Sequence, residues 1–181
     1  MAVGTGIGIG ILAGGRILNG AHGIAGAIGW LALDRPYSNE YDRCGHFEYH
    51  TSGPGIARSA ERMLQSGSGS KYLIAGKITA GDVFAAWSKN DPVALKVMEQ
   101  CIEFWGMAVA NLVSLFNPEK IIFGGGVFGP ALQFLDRIHE EARKWAQPIG
   151  IEKVKLEGTA LKGDAGLYGA GYLALKHDFE P

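Results

Sequence analysis

The glycine-rich stretch at residues 3–10, Val-Gly-Thr-Gly-Ile-Gly-Ile-Gly, constrains the fold more than any other part of the chain. Apolar and small residues alternate along it, and a period of two predicts a β-strand. Glycines on one face let another group approach the backbone closely, so peptide N–H groups can meet an anionic oxygen. The hydroxyl of Thr5 adds one more donor. A strand that simply packs tightly against a helix would show the same pattern.

A second glycine cluster, made of Gly124, Gly125 and Gly126, follows the apolar run at residues 121–123. Two units of strand plus glycines, far apart in the sequence, favour a nucleotide held between two loops. An ordinary strand-to-helix turn is the alternative interpretation of the second unit.

Composition predicts one folded domain over residues 1–181. Hydrophobic residues make up 47% and charged residues 19% of the 181 residues, which argues against disorder. The net charge is −1 and no basic run exceeds two residues. This charge pattern does not indicate a nucleic-acid surface.

Cysteine usage and the N-terminal sequence favour a cytoplasmic protein without a membrane anchor. Cys44 and Cys101 are the two cysteines, too few for a disulfide framework. The chain begins without a charged region and cleavable apolar core of the signal-peptide type. No apolar run approaches the roughly 20 residues that cross a bilayer.

The pattern of elements predicts an α/β fold, with a mixed sheet, an antiparallel N-terminal hairpin and helices packed on the sheet. Strands are predicted at 2–12, 16–19, 27–33, 120–123 and 154–156, with a tight turn at Gly14 and Gly15. Helices are predicted at 54–65, 79–88, 92–116, 130–146 and 165–176, and residues 34–51 are predicted to be irregular.

Five motifs in one order carry a resemblance to a known family. They are Gly-Thr-Gly-Ile-Gly at 4–8, Gly-Ala-His-Gly-Ile-Ala-Gly at 20–26, Ser-Gly-Pro at 52–54, Asn-Pro-Glu-Lys-Ile-Ile-Phe-Gly-Gly-Gly at 117–126 and Gly-Asp-Ala-Gly-Leu-Tyr-Gly-Ala at 163–170. In this order and spacing the chain resembles the C-terminal lobe of the ROK family of bacterial repressors and sugar kinases. The resemblance covers nearly the whole chain.

The resemblance implies an actin-like, RNase H-like fold of the hexokinase type, with two lobes around a cleft. Family members phosphorylate sugars such as glucose and N-acetylmannosamine with ATP and Mg²⁺, and some repress sugar genes. The implied nucleotide contacts are Gly4, Thr5 and Gly6 at the phosphates, with Gly125 and Gly126 against the adenosine. Glu48 matches the glutamate that hydrogen-bonds the sugar; a solvated loop carboxylate is the alternative.

Several positions depart from the family pattern. The N-terminal lobe, which supplies the first phosphate loop and the aspartate general base, is expected to be missing. Ala27 stands where the family has a sugar-binding glutamate, and Trp30 replaces a histidine that contacts zinc and sugar. The family's zinc loop, Cys-x-Cys-Gly-x-x-Gly-Cys, is reduced to Tyr-Asp-Arg-Cys-Gly-His-Phe-Glu at 41–48.

The zinc site is therefore expected to be lost. Cys44, His46 and His50 offer three ligands in principle, whereas a structural zinc site needs four. A solvated loop with an incidental thiol is the favoured interpretation of this region.

Three functional hypotheses follow. The first is the C-terminal lobe of an ATP-dependent sugar kinase, binding nucleotide and sugar but inactive alone and without catalytic or metal-binding residues of its own. The second is a non-catalytic ROK-type regulator or sugar-sensing domain. The third is an assembly unit, since removal of one lobe exposes apolar surface that favours a homodimer.

Overall fold

The computed structural model describes residues 1–175, and its β-structure consists of short paired strands. The strands are β1 (Ala2–Val3), β2 (Ile7–Gly8), β3 (Leu12–Ala13), β4 (Arg16–Ile17), β5 (Lys120–Phe123) and β6 (Lys155–Gly158). Two antiparallel pairs, β1–β2 and β3–β4, precede the parallel pair β5–β6.

The helices supply most of the ordered chain. The α-helices are α1 (His46–Thr51), α2 (Gly53–Gln65), α3 (Ala80–Trp87), α4 (Pro92–Phe116), α5 (Leu135–Arg143), α6 (Pro148–Lys153) and α7 (Ala165–Leu175). Short 3₁₀ helices span Ile28–Trp30, Asn39–Arg43, Pro130–Phe134 and Lys162–Asp164. None of these described helices combines the length and apolar character that a membrane span needs.

Strand β1 connects the N-terminal hairpin to the parallel pair. Ala2 forms a parallel bridge with Gly124, and the N–H of Val3 donates to the carbonyl of Gly124 at 2.9 Å. The N–H of Gly124 in turn donates to the carbonyl of Met1 at 2.9 Å. Both glycine clusters of the sequence are thereby brought to one end of a mixed sheet.

Helix α4 forms the centre of the core. Most of its apolar residues from Val93 to Val113 are buried, and the largest of them, Trp105, is fully buried. Gly106 allows α5 to pack closely, because a Cβ there would lie 2.6 Å from the Cβ of Glu141. The absence of a side chain at Gly106 therefore lets the two helices lie close together.

Several predicted elements are confirmed. Helices α2, α3 and α4 are observed where the sequence predicts them, and their N-caps are Ser52, Thr79 and Asp91. The tight turn between β3 and β4 has Gly14 and Gly15 at φ of +57° and +76°, as such a turn requires. Predicted helix 165–176 is observed as Ala165–Leu175, and residue 176 lies outside the described residues.

The strand predicted at 27–33 is wrong, since a 3₁₀ helix (Ile28–Trp30) occupies this segment. Gly26 adopts φ +94° and turns the chain against Ile9, whose N–H donates to its carbonyl at 2.9 Å. Apolar residues in a buried turn can alternate with small residues just as they do in a strand. Periodicity therefore did not distinguish a strand from a turn in this segment.

Other boundaries are also corrected. The strand predicted at 2–12 is split by the turn at Gly4, Thr5 and Gly6, which makes β1 and β2 a hairpin. Residues 34–51, predicted as irregular, contain the 3₁₀ helix Asn39–Arg43 and α1. The helix predicted at 130–146 starts as 3₁₀ structure, and α6 was not predicted.

Candidate functional site

The turn between β1 and β2 presents open backbone at its tip. The N–H of Gly4 is used internally, since it donates to the carbonyl of Gly6 at 2.9 Å. Thr5 and Gly6 are exposed, and among the described residues their N–H groups have no hydrogen-bond acceptor. Thr5 and Gly6 therefore remain available as anion donors, while the N–H of Gly4 does not.

The second glycine cluster lies directly beside this turn. A Cβ on Gly4 would come within 3.9 Å of the N of Gly126, and the N–H of Val127 donates to the carbonyl of Val3 at 3.0 Å. Gly125 adopts φ +87°, and a Cβ on it would lie 2.4 Å from the carbonyl oxygen of Val3. Only glycine fits this approach of two backbones.

The two turns together contain four exposed residues, Thr5, Gly6, Gly125 and Gly126. In the part of the chain described, the N–H groups of Gly125 and Gly126 lack an acceptor, as those of Thr5 and Gly6 do. Gly126 has no atom within 4 Å of the place where a Cβ would stand. Successive unpaired N–H groups of this kind form an anion-binding concavity.

Glu48 lies in a narrow slot next to the same turn. The Oε2 atom accepts a hydrogen bond from the N–H of Ile7 at 2.6 Å. Glycines form the walls: a Cβ on Gly6 would lie 3.0 Å from Oε2, and one on Gly29 would lie 2.9 Å from it. The carboxylate is half-buried and is held by backbone, so it is not a freely solvated loop group.

Replacing Glu48 by alanine is expected to destabilise the fold by about 1–3 kcal/mol, because the N–H of buried Ile7 would lose its acceptor. Glu48→Gln keeps an oxygen at that place and is expected to cost less. Urea unfolding of the two variants measures the difference. Equal stability of wild type and Glu48→Ala would contradict the assigned contact.

Two further glycines complete the site, although no role was predicted for them. The N–H of Gly53, the first residue of α2, donates to the carbonyl of Gly4 at 2.7 Å. Gly29 makes room for Glu48. The Ser-Gly-Pro motif at 52–54 could have pointed to Gly53 as a site residue. The role of Gly29 cannot be seen in the sequence, because it depends on where α1 places Glu48.

Positions that departed from the family pattern lie nearby. Gly45 packs against Trp30, since a Cβ on Gly45 would lie 2.4 Å from the Cα of Trp30. The Trp30 side chain is 57% exposed, and Ala27 is exposed. Neither side chain has an oxygen or a charge to offer to a ligand.

The remnant of the expected zinc loop contains no matching ligand set. Among the described residues no group of three or more His, Cys, Asp or Glu side chains is arranged to hold a metal ion. The Nε2 atom of His50 lies 3.4 Å from the hydroxyl of Tyr41, and the buried Nδ1 of His46 has no partner. Cys44 is half-buried, and desolvation, followed by the charge of Glu48, raises the pKa of its thiol.

His50 is held in its neutral form. The pKa of His50 is lowered to about 4, mainly by desolvation and in smaller part by neighbouring positive groups. Those groups are His46, Arg62 and Arg58, with Asp34 acting in the opposite direction. Burial also lowers the pKa of His46.

The free energy of unfolding is therefore expected to decrease as the pH falls from about 6.5 to about 4. Unfolded His50 takes up a proton near pH 6.5, whereas the folded form takes it up only near its lowered pKa of about 4. Acid therefore favours the unfolded state. Because the ring is partly exposed, we expect a loss of about 2 kcal/mol.

Chemical unfolding between pH 7 and pH 4 measures this loss, and His50→Phe is expected to reduce it. The same pH dependence in wild type and His50→Phe would contradict the assignment to His50.

Comparisons with known proteins show the family of the chain. Residues 1–177 match the ROK family. A glucokinase from Halalkalibacterium halodurans is 34% identical over 185 residues, covering 98% of the chain and 56% of that enzyme. The chain spans about half the length of this relative.

Solved structures give the same picture. A ROK family glucokinase from Streptomyces griseus, in complex with glucose and AMPPNP, is 27% identical, with a TM-score of 0.77 over 95% of this chain and 58% of that one. A ROK family transcriptional regulator, homologous to the E. coli MLC protein, is 29% identical, with a TM-score of 0.75 over 87% of this chain and 40% of that one. The fold is the predicted α/β, actin-like fold of the hexokinase type.

Proposed function

Because this chain belongs to the ROK family, we propose that it acts as the C-terminal lobe of an ATP-dependent sugar kinase of the glucokinase type. In this proposal the lobe contributes contacts to nucleotide and sugar and does not transfer phosphate alone. The observation that carries the proposal is the pair of adjacent glycine turns with unpaired N–H groups, beside the slot of Glu48.

The nucleotide would lie across the two turns. The N–H groups of Thr5 and Gly6, with the Thr5 hydroxyl, would donate to phosphate oxygens. Gly125 and Gly126 would lie against the adenosine, where the space beside Gly126 allows close approach. Mg²⁺ would arrive with the phosphates, since this ion is usually bound through substrate phosphates and few carboxylates.

The sugar would meet Glu48. The Oε2 atom is engaged by the N–H of Ile7, so Oε1 is the atom offered to a sugar hydroxyl. The slot directly adjoins the phosphate turn, because Gly6 forms one of its walls. A sugar hydroxyl at Glu48 would therefore be close to the phosphate that it receives, as phosphoryl transfer requires.

Transfer also needs a base and closure of the site around the sugar. The relatives contain roughly as much chain again as this one, and we propose that the missing base comes from a corresponding N-terminal lobe. The proposed reaction therefore needs both lobes.

Calorimetric titration with AMPPNP, followed by a kinase assay, tests the proposal. We expect nucleotide binding by the lobe alone and no phosphorylation of glucose or N-acetylmannosamine. Adding the N-terminal lobe of the 34% identical glucokinase as a separate chain is expected to produce ATP-dependent phosphorylation. The proposal would be contradicted if the lobe bound no nucleotide and if no phosphorylation occurred in the presence of the N-terminal lobe.

A ROK-type regulator or sugar-sensing domain is the second candidate. It is favoured by the exposed, apolar side chains of Trp30 and Ala27, which replace two of the polar groups expected from kinases of the family. Calorimetric titration with glucose and N-acetylmannosamine, beside that with AMPPNP, tests it: sugar binding without nucleotide binding would favour the regulator. In either case we propose a cytoplasmic protein whose lobe does not itself bind nucleic acid.

Self-association is a further part of the proposal. Residues 166–175 of α7 are all exposed although the helix carries no charge, with Leu167 at 74% and Leu175 at 84% exposure. A helix that is apolar on every side is normally buried. We propose a homodimer when the second lobe is not supplied, and a monomeric mass in light scattering at micromolar concentration would contradict this.

A further inference from the structure

Five rings pack together where the family resemblance placed a zinc loop. We name this group the ring cluster; it consists of Tyr41, His46, Tyr49, His50 and Phe104. Tyr41 contacts three of the others, with centroid distances of 4.8 Å to His46, 5.2 Å to Tyr49 and 5.6 Å to His50. Edge-to-face and tilted pairs at such distances are the favoured geometry of aromatic rings.

Phe104 joins the ring cluster to the core of the molecule. Its centroid lies 5.2 Å from that of His46 and 5.4 Å from that of His50. Phe104 belongs to the central helix α4 and is 5% exposed. The ring cluster is therefore anchored on the central helix of the core.

Two arginines of α2 close the outer side of the ring cluster. The guanidinium of Arg58 lies 4.1 Å from the centroid of Tyr49, and that of Arg62 lies 5.3 Å from it. Arg58 also donates to the carbonyl of Tyr49 at 2.7 Å, and Arg62 binds Glu40 and the Tyr49 hydroxyl. Cation–π contacts and charge-assisted hydrogen bonds thus fix the same ring.

The residues present do not fit a zinc ion. A structural site takes four N or S ligands, but the described chain assembles no set of three. His50 is engaged with Tyr41, and both histidines are packed against Phe104.

The ring cluster and the candidate sugar contact lie on one short helix. His46, Tyr49 and His50 are spaced i, i+3, i+4 and share one face of α1, while Glu48 reaches the N–H of Ile7. We propose that the ring cluster does the work of a structural metal in this chain: it fixes α1 without zinc, and so holds Glu48 against the glycine turn. Tyr41 is the central positioning residue.

Metal analysis and thermal unfolding with and without EDTA test the first half of this proposal. After dialysis against zinc and then buffer, we expect far less than one equivalent of zinc and no change of Tm with EDTA. One tightly held equivalent, or a Tm that falls with EDTA, would overturn the proposal. This result does not depend on kinase activity, so it can fail or succeed independently of the proposed function.

Tyr41→Leu tests the second half, with Tyr37→Leu as the matched control. Tyr37 is 69% exposed and touches the cluster only at Tyr41, with 6.4 Å between centroids. We expect Tyr41→Leu to lower Tm by about 5 °C and to shift the amide resonance of Ile7, which reports the bond to Glu48. Tyr37→Leu is expected to do neither.

Tyr41→Phe keeps the ring if Tyr41→Leu does not fold. This variant is expected to retain the Ile7 resonance, because it loses only the hydroxyl near His50. An unchanged Ile7 resonance in folded Tyr41→Leu, or a displaced one in Tyr41→Phe, would show that the ring does not position Glu48.

Discussion

Gly125→Ala is expected to destabilise the fold by about 3 kcal/mol or more, or to prevent folding. A Cβ there would lie 2.4, 2.7 and 2.8 Å from the O, C and N atoms of Val3, which are all backbone. The φ of +87° adds strain for any side chain. Because β1 is fixed by hydrogen bonds to Gly124 on the same strand edge, neither backbone can move away without breaking the sheet.

Gly126→Ala is the matched control, one residue further along the same turn. The space beside Gly126 is empty to 4 Å, so we expect stability close to wild type in urea unfolding. If Gly126 lies against bound adenosine, the added methyl group should nevertheless weaken AMPPNP binding. Equal losses of stability in the two variants would contradict the described turn.

Asp91→Ala is expected to cost about 3 kcal/mol, the second large effect. Asp91 is 1% exposed and caps α4, with Oδ1 accepting from the N–H groups of Val93 at 3.0 Å and Ala94 at 3.2 Å. Its Oδ2 accepts from the Ser70 hydroxyl at 2.7 Å and the Lys71 N–H at 3.1 Å. The substitution removes the N-cap of α4 and also leaves the donors that bind Asp91 without an acceptor, so both losses destabilise the fold.

Thr79→Ala at the exposed cap of α3 is the control for Asp91, and about 1 kcal/mol is expected there. The Asp91 contribution should also depend on pH. Burial would raise the pKa of Asp91, but its four hydrogen bonds lower it overall. Its stabilisation is therefore present above about pH 3.9 and is lost at lower pH. Equal effects of the two substitutions in urea at pH 7 would contradict the described network.

The helices were predictable because their signals are local. An apolar stripe at helical spacing predicted α4 from Pro92 to Phe116. In the structure Asp91 caps its start, and Asn117 in the left-handed region ends it. The same reasoning failed at residues 27–33, where Gly26 turns the chain against Ile9. That contact joins residues distant in sequence, so no local pattern carries it.

In the candidate site, too, local features were predictable and long-range contacts were not. The two glycine turns were predicted from the sequence, and the structure places them side by side. The engagement of the Gly4 N–H by Gly6 was not readable, because it depends on the exact course of the turn. The ring cluster also escaped prediction: Phe104 lies on α4, far in sequence from Tyr41, and only the tertiary fold brings them together.

Backbone amide NMR of the lobe during AMPPNP titration tests the central claim most directly. If the two glycine turns form the phosphate and adenosine cradle, the resonances of Thr5, Gly6, Gly125 and Gly126 should shift together and saturate, while that of Gly81 on α3 stays in place. Resonances of the four turn residues that do not move at millimolar AMPPNP would contradict the account.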